Sequence, residues 1–324
     1  LPIALAVLSL VVLFLVVIFS GGASETLARR RRLVTHIGSR YLAQDMNRNL
    51  KALIKACDNL KISYSCHYHA TENLIAVHLN HQDYLFLNWT TPLNRHSITH
   101  LCLDKDYFAA YFQDVIRLPR TRSFLNPYCD PKYARYLQFQ TIAEIIKAVE
   151  GDSVYPIVIK NNRGSLGTNV FKVTKQRELE QGFIAIFNQN SASFDYVGLV
   201  QEYIAIAREY RVIYLQGEYQ FAYLKDQGQA QFVGNLSPLH WQGAKACLVT
   251  DPQIIEQLQR FCAPLFKKLL IPFCGLDVAI DTQGRYWLIE ANAAPGFERF
   301  IQDQGDEVVV RLYRSILQHL ANIN

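Results

Sequence analysis

Charge is scarce in this chain: 19% of its 324 residues are Asp, Glu, Lys or Arg, against 50% that are hydrophobic. A sequence so short of charge can bury a core, which excludes disorder as its main state. No C-x-x-C pair occurs, and the seven cysteines (Cys57, Cys66, Cys102, Cys129, Cys247, Cys262, Cys274) are odd in number and widely spaced. That speaks against a disulfide framework and fits reduced thiols in a cytosolic fold. Internal repeats and low-complexity segments are missing, as are the phosphate loop G-x-x-x-x-G-K-[ST] and the dinucleotide fingerprint G-x-G-x-x-G. Basic residues are not spread along a face. The net charge is +5, and Arg29, Arg30, Arg31 and Arg32 supply four positive charges, so the rest is nearly balanced and the case for nucleic acid as a partner falls away.

What is present begins with an apolar run. Ile3 to Phe19 carries no charge and one polar residue, Ser9. At about 1.5 Å per helical residue it is just long enough for a bilayer core. Gly21, Gly22 and Ala23 resemble a cleavage site, but nothing basic precedes the run and four arginines follow it. By the positive-inside rule this is an uncleaved hydrophobic helix that anchors the chain to the membrane with the remainder in the cytoplasm. The competing readings are a signal peptide and an over-extended start, the latter giving a soluble cytoplasmic protein. The length suggests two domains of about 150 residues. The expected division is an anchor over 1–23, a small N-terminal α/β domain over 24–100 and a larger domain over 101–324.

Apolar positions Leu42, Met46, Leu50, Leu53, Ile54 and Cys57 recur at three and four, predicting an amphipathic helix between Arg40 and Leu60. Short runs at Ile62–His67, Leu74–Leu79 and Tyr84–Trp89 read as strands. Beyond residue 100 the pattern predicts helices at Asp106–Ile116, Thr141–Val149, Gln176–Phe187, Pro252–Leu269 and Glu307–Leu320. Strands are expected near Val158 and Val170 and at Tyr196–Tyr203. Two hairpins complete the series, Tyr210–Leu215 with Tyr219–Leu224 and Leu276–Ile280 with Tyr286–Ala291. The fold class is α+β with antiparallel hairpins.

Three segments carry chemistry. In Tyr155-Pro156-Ile157-Val158-Ile159-Lys160-Asn161-Asn162-Arg163-Gly164-Ser165-Leu166-Gly167, an apolar strand delivers Lys160 into a loop. There Gly164, Ser165 and Gly167 can turn backbone N–H groups toward phosphate oxygens. In the second segment, Leu199-Val200-Gln201-Glu202-Tyr203-Ile204 ends in a carboxylate and Glu209 offers another seven residues on, which suits a purine and ribose pocket. The third sets Asp277 on one hairpin strand opposite Glu290 and Asn292, two apart on the other. Two carboxylates and an amide oxygen are hard ligands of the kind Mg²⁺ takes.

In this order the segments resemble the ATP-grasp ligases. The likeness covers about residues 101 to 324. Upstream, Leu103-Asp104-Lys105-Asp106-Tyr107 and Leu118-Pro119-Arg120-Thr121 look like the family's first nucleotide lysine and the stretch after it. Cys274-Gly275-Leu276-Asp277, Glu290-Ala291-Asn292-Ala293-Ala294-Pro295-Gly296-Phe297 and Glu209-Tyr210-Arg211-Val212 are most similar to cyanophycin synthetase and the glutamate-adding or glutathione-forming members. The resemblance implies two α+β subdomains that clasp ATP, and ATP-dependent joining of a carboxylate to an amine through an acyl phosphate. It implies ATP with two Mg²⁺ ions, which Mn²⁺ can replace, and a small-molecule, amino-acid or peptide substrate. Asp277, Glu290 and Asn292 then hold the metal. Lys105, Lys160, Gly164, Ser165 and Gly167 hold phosphates, Glu202 and Tyr203 the base, Glu209 the ribose, and Arg211 acts as the catalytic residue at the transferred phosphate or acyl phosphate. One departure is Lys225, where relatives carry arginine after the hairpin.

The weighed alternatives are a kinase on the same fold, and a nucleotide-binding protein without turnover. Arg299 is a candidate contact for a substrate carboxylate, and Cys66-His67-Tyr68-His69 with His78 and His81 match no zinc spacing.

Overall fold

Helix α1 (Arg48–Leu60) begins where the Asn47 side chain accepts from the Leu50 amide and ends at Lys61, whose φ of 57° is left-handed. Its buried positions Leu50, Leu53, Ala56 and Cys57 follow the expected helical spacing. The computed structural model describes residues 46–68, 73–164, 167–228, 239 and 242–322, and residues 47–324 form one unit. The apolar run Ile3–Phe19, the arginines 29–32, His69 and Ser165 lie outside the described residues. Among the described residues no helix is long and apolar enough to cross a membrane.

Strands β1 (Ser63–Tyr68), β2 (Asn73–Leu79) and β3 (Gln82–Leu87) form an antiparallel sheet in that order. Ile75, Val77, Tyr84 and Phe86 face inward, and Phe86 meets Tyr313 of the last helix edge-on. Helices α2 (His96–Leu103) and α3 (Lys105–Phe112) come next. Asp104 between them caps α3 by accepting from the Tyr107 amide.

Between the helices expected at Asp106–Ile116 and Thr141–Val149 lies a strand, β4 (Thr121–Leu125). It joins helix α4 (Ile142–Asp152), β5 (Ile157–Asn161), β6 (Val170–Val173), helix α5 (Gln176–Ile186) and β7 (Val197–Glu202). The four strands make an antiparallel sheet ordered β4-β7-β5-β6, and α4 and α5 cover one face through Ile145, Val149, Leu179 and Phe183 packed on Ile157, Ile159 and Val200. Close approach of α5 to β5 depends on Gly182.

The second sheet is ordered β10-β9-β8-β11-β12, from β8 (Ile206–Leu215), β9 (Glu218–Asp226), β10 (Lys245–Leu248), β11 (Phe273–Asp281) and β12 (Tyr286–Asn292). Helix α6 (Pro252–Lys268) lies on one face of it. Its Leu258, Cys262 and Leu265 pack with Tyr210, Val212, Cys274, Leu276, Val278 and Leu288. Burial pushes the thiols of Cys102 and Cys262 up to about 12, so they serve as small core side chains. Helices α7 (Glu298–Gln304) and α8 (Glu307–Asn322) close the chain, and α8 packs against α1.

A bulge in β12 decides which side chains reach which face. Asp277 pairs with Glu290, but the next pair is Val278 with Leu288, so Ile289 is an extra residue. Leu288 therefore joins the α6 core while Glu290, two residues on, points out of the opposite face beside Asp277.

A Cβ at Gly182 would lie 2.7 Å from Ile159 Cγ2. Overpacking costs about 1–3 kcal/mol, against about 1 kcal/mol that alanine gains over glycine in a helix. Gly182→Ala is expected to lower the denaturation midpoint; a raised midpoint would show that Ile159 yields freely.

Candidate functional site

The face of the five-stranded sheet turned away from α6 is charged. Register places Arg211 of β8 beside Asp277 of β11, and Asp277 beside Glu290 of β12; Tyr223 of β9 flanks Arg211. Arg211 Nε and Nη2 donate to the two oxygens of Asp277 at 2.7 Å each, a bidentate pair. Lys225 Nζ lies 2.9 Å from Asp277 Oδ2 and also donates to Glu209. Two cations and two carboxylates thus share one pocket, and Lys225, Asp277 and Glu209 are all under a tenth exposed.

Burial raises the pKa of Asp277, but Arg211 and then Lys225 overcome it and hold the carboxyl below the usual range. At Glu209 burial outweighs Lys225 and pushes the carboxyl up. Burial also works against the charge on Lys225, and Asp277 and Glu209 restore it. Aromatic rings cover this group: Phe300 stacks on Tyr223 with centroids 5.0 Å apart and lies against Phe221, which also meets Phe297.

Two further cations come from other elements, Lys160 from the four-stranded sheet and Lys105 from α3. Lys160, at the end of β5, is buried; burial first and the Lys105 ammonium second push its pKa down to about 8, while Glu290, Glu209 and Asp277 pull it upward. Lys105, in the first turn of α3, donates to the carbonyls of Gly164 (2.7 Å) and Asn162 (3.3 Å), and its Nζ stands 4.0 Å from Glu290 Oε2. The first lysine of the site is therefore tied to the glycine loop that follows the second. Gly164 must lack a side chain, since a Cβ there would lie 2.8 Å from that of Asn161. Gly167 adopts φ 69°. Between the sheets, Lys105, Thr121, Gln201, Ile289 and Glu290 line a narrow cleft.

The remaining expected residues have partners of their own. Glu202 Oε1 accepts from the Arg120 amide at 2.8 Å, and the Tyr203 ring sits 4.0 Å beneath Lys172 Nζ. Arg299 donates to Asp303 and to the Ala244 carbonyl, bracing α7 against the segment before β10. His78 pairs with Asp83 at 2.6 Å, and among the described residues no three His, Cys, Asp or Glu side chains converge as metal ligands. Ser165, expected at the phosphates, lies outside the described residues.

Within the expected metal set the three members differ. Among the described residues Glu290 has no close partner besides Lys105, which leaves its carboxylate open to a cation, and Asn292 Nδ2 is buried without a hydrogen-bond partner, which leaves its N–H groups open to an acceptor. Asp277 has both oxygens engaged by Arg211 and Lys225. Two contributors had no signal in the sequence pattern: Asn49, fully buried on α1, and Asn94, before α2.

No curated protein sequence matches the chain. Solved structures that resemble it include the ATP-grasp ligase PsnB complexed with a minimal precursor, at 15% identity, TM-score 0.48, and coverage of 70% of this chain and 63% of that one. The VanG D-Ala:D-Ser ligase from Enterococcus faecalis gives 17%, 0.49, 68% and 64% in the same order. For the D-alanine–D-alanine ligase from Bacillus anthracis the values are 16%, 0.49, 70% and 68%. The chain thus spans under two thirds of the length of the first two. In sequence, residues 131–316, more than half of the chain, match the RimK-like ATP-grasp domain. The chain belongs to the RimK-like ATP-grasp family, and its α+β architecture is an ATP-grasp fold.

Proposed function

We propose that the protein is an ATP- and Mg²⁺-dependent ligase that joins a carboxylate to an amine through an acyl phosphate. The observation that carries this reading is the opposition of charge across the cleft, with Lys105 and Lys160 on one side and Glu290 with the Asp277 group on the other. Such a cleft suits a polyphosphate that needs cations along one edge and metal ligands along the other. Glu290 and Asn292 would hold Mg²⁺, with Asp277 as the third member of the set, and the metal when bound would screen the phosphate charge. Lys105, fixed to the Gly164 carbonyl, and Lys160 bind and orient phosphates. Gln201, Glu202 and Tyr203 border the base, and Glu209 stands toward the ribose side. Arg211 has a planar fork already aligned by Asp277, suited to the oxygen pairs of a transferring phosphoryl group or acyl phosphate. The substrate class is an amino acid, a peptide or another small molecule carrying a carboxylate. The membrane tether rests on Ile3–Phe19 and Arg29–Arg32 in the sequence.

Turnover, pH dependence and fractionation each test this reading. Incubation with ATP, Mg²⁺ and a panel of acids and amines should release ADP together with an amide product; ADP with a phosphorylated hydroxyl instead would make the protein a kinase. Glu290→Gln should abolish turnover with the fold intact by circular dichroism, and near wild-type turnover would remove Glu290 from the metal side.

The second concerns pH. A lysine attracts phosphate only when protonated, and Lys160 in the nucleotide-free protein loses its proton near pH 8 instead of above 10. Affinity for a non-hydrolysable ATP analogue is therefore expected to be flat below that pH and to fall above it. Calorimetry across the range would show this, and an identical profile for Lys160→Met would assign the fall to another group. Third, a tethered protein should pellet with membranes and resist high salt; a soluble product with its N-terminus beyond Ala23 would refute the tether alone.

A further inference from the structure

The segment 293–297 begins one residue after Asn292 and has no regular secondary structure. Its backbone polar groups cannot be left unpaired where they are buried. Three of them end on two asparagine side chains that lie far away in sequence and outside the family match. Asn49, on α1 and fully buried, donates through Nδ2 to the Pro295 carbonyl (3.3 Å) and accepts through Oδ1 from the Phe297 amide (2.9 Å). A primary amide has one donor edge and one acceptor edge, so here it pairs with the turn as a neighbouring peptide group would.

Asn94 acts on the other side. Its Oδ1 accepts from the Phe273 amide at 3.0 Å, and its Nδ2 donates to the carbonyls of Phe273 (2.7 Å) and Ala293 (2.9 Å). The β11–β12 ladder ends at the pair Gly275–Asn292, and Asn94 bridges the two chains where the next rung would fall. One side chain therefore ties the start of the strand carrying Asp277 to the end of the strand carrying Glu290 and Asn292. Neighbours reinforce both ties. The Arg48 amide donates to Glu298 at 2.5 Å, Gly296 lies against the Trp89 indole, and a Cβ at Gly275 would lie 3.0 Å from that of Pro295. Phe297 and Phe300 already supply apolar anchorage here, so the amides add direction to a turn that is held in any case.

We propose that Asn49 and Asn94 are positioning residues that fix the 293–297 turn and, through it, the directions of Glu290 and Asn292. The inference rests on the ligase reading in taking those two side chains as the metal side. Loss of a side chain that orients metal ligands typically weakens metal affinity or activity about 10- to 100-fold. Asn94→Ala and Asn49→Ala are therefore expected to lower kcat by that order. They should equally weaken Mn²⁺ bound together with a non-hydrolysable ATP analogue, read by electron paramagnetic resonance. Affinity for the analogue without metal should be unchanged, because Lys105 and Lys160 belong to the other side of the cleft.

Asn94→Asp keeps the bond from the Phe273 amide and loses the two donated bonds, so it should fall between wild type and alanine; it also serves if the alanine variants fail to fold. Lowered melting temperatures with wild-type Mn²⁺ affinity and kcat would overturn the proposal and leave the asparagines as fold supports. Wild-type protein that binds analogue and Mn²⁺ yet turns over no acid and amine would sink the ligase reading, while the resonance measurement still decides this one. Wild-type protein that binds no Mn²⁺ with the analogue would overturn it outright.

Discussion

Asp277 is the residue around which the sheet face is organised. It is buried, and a lone carboxylate in that position would be untenable, so three N–H donors from Arg211 and Lys225 converge on it. Lys225 then needs a second acceptor, which Glu209 provides. A quartet of this kind adds little net stability over apolar packing but tolerates no missing member. Adjacent choices follow from it, including the stacked Tyr223 and Phe300 rings beside the group.

The two sides of the cleft are built by different means. On the four-stranded side, position comes from backbone: the Gly164 and Asn162 carbonyls accept from Lys105, so the loop is coupled to the lysine. The five-stranded side is set by side chains, with the charge quartet in the middle and two asparagines at the rim. That difference matters for adaptation to a ligand. A backbone-held loop can shift without breaking its own bonds, whereas a buried ionic group has few alternative arrangements of equal energy.

Much of this was legible in the sequence because it obeys simple periods. Alternation marks the hairpin β11–β12, and the spacing of Glu290 and Asn292 put both on one face, as the register does. What escaped was of two kinds. Short elements with weak propensity left no pattern: β10 has four residues, β4 has a serine at its centre and an arginine before it, and α2 contains two histidines, a serine and a threonine among eight residues. Long-range partners left none either. Lys225 looks like a surface charge until Glu209 and Asp277 are folded against it, and Asn94 meets Phe273 across 179 positions, a separation no local spacing encodes.

The extra residue at Ile289 has a wider meaning. A strand assigns its side chains by parity: odd positions to one face, even to the other. Without an irregularity, Leu288 and Glu290 share parity, and no register of β12 could send the first to the α6 core and the second to the cleft. The bulge switches parity once, between them. Upstream of it the even position Leu288 faces the core; downstream the odd position Ala291 does, which frees the even positions Glu290 and Asn292 for the cleft within a strand of seven residues.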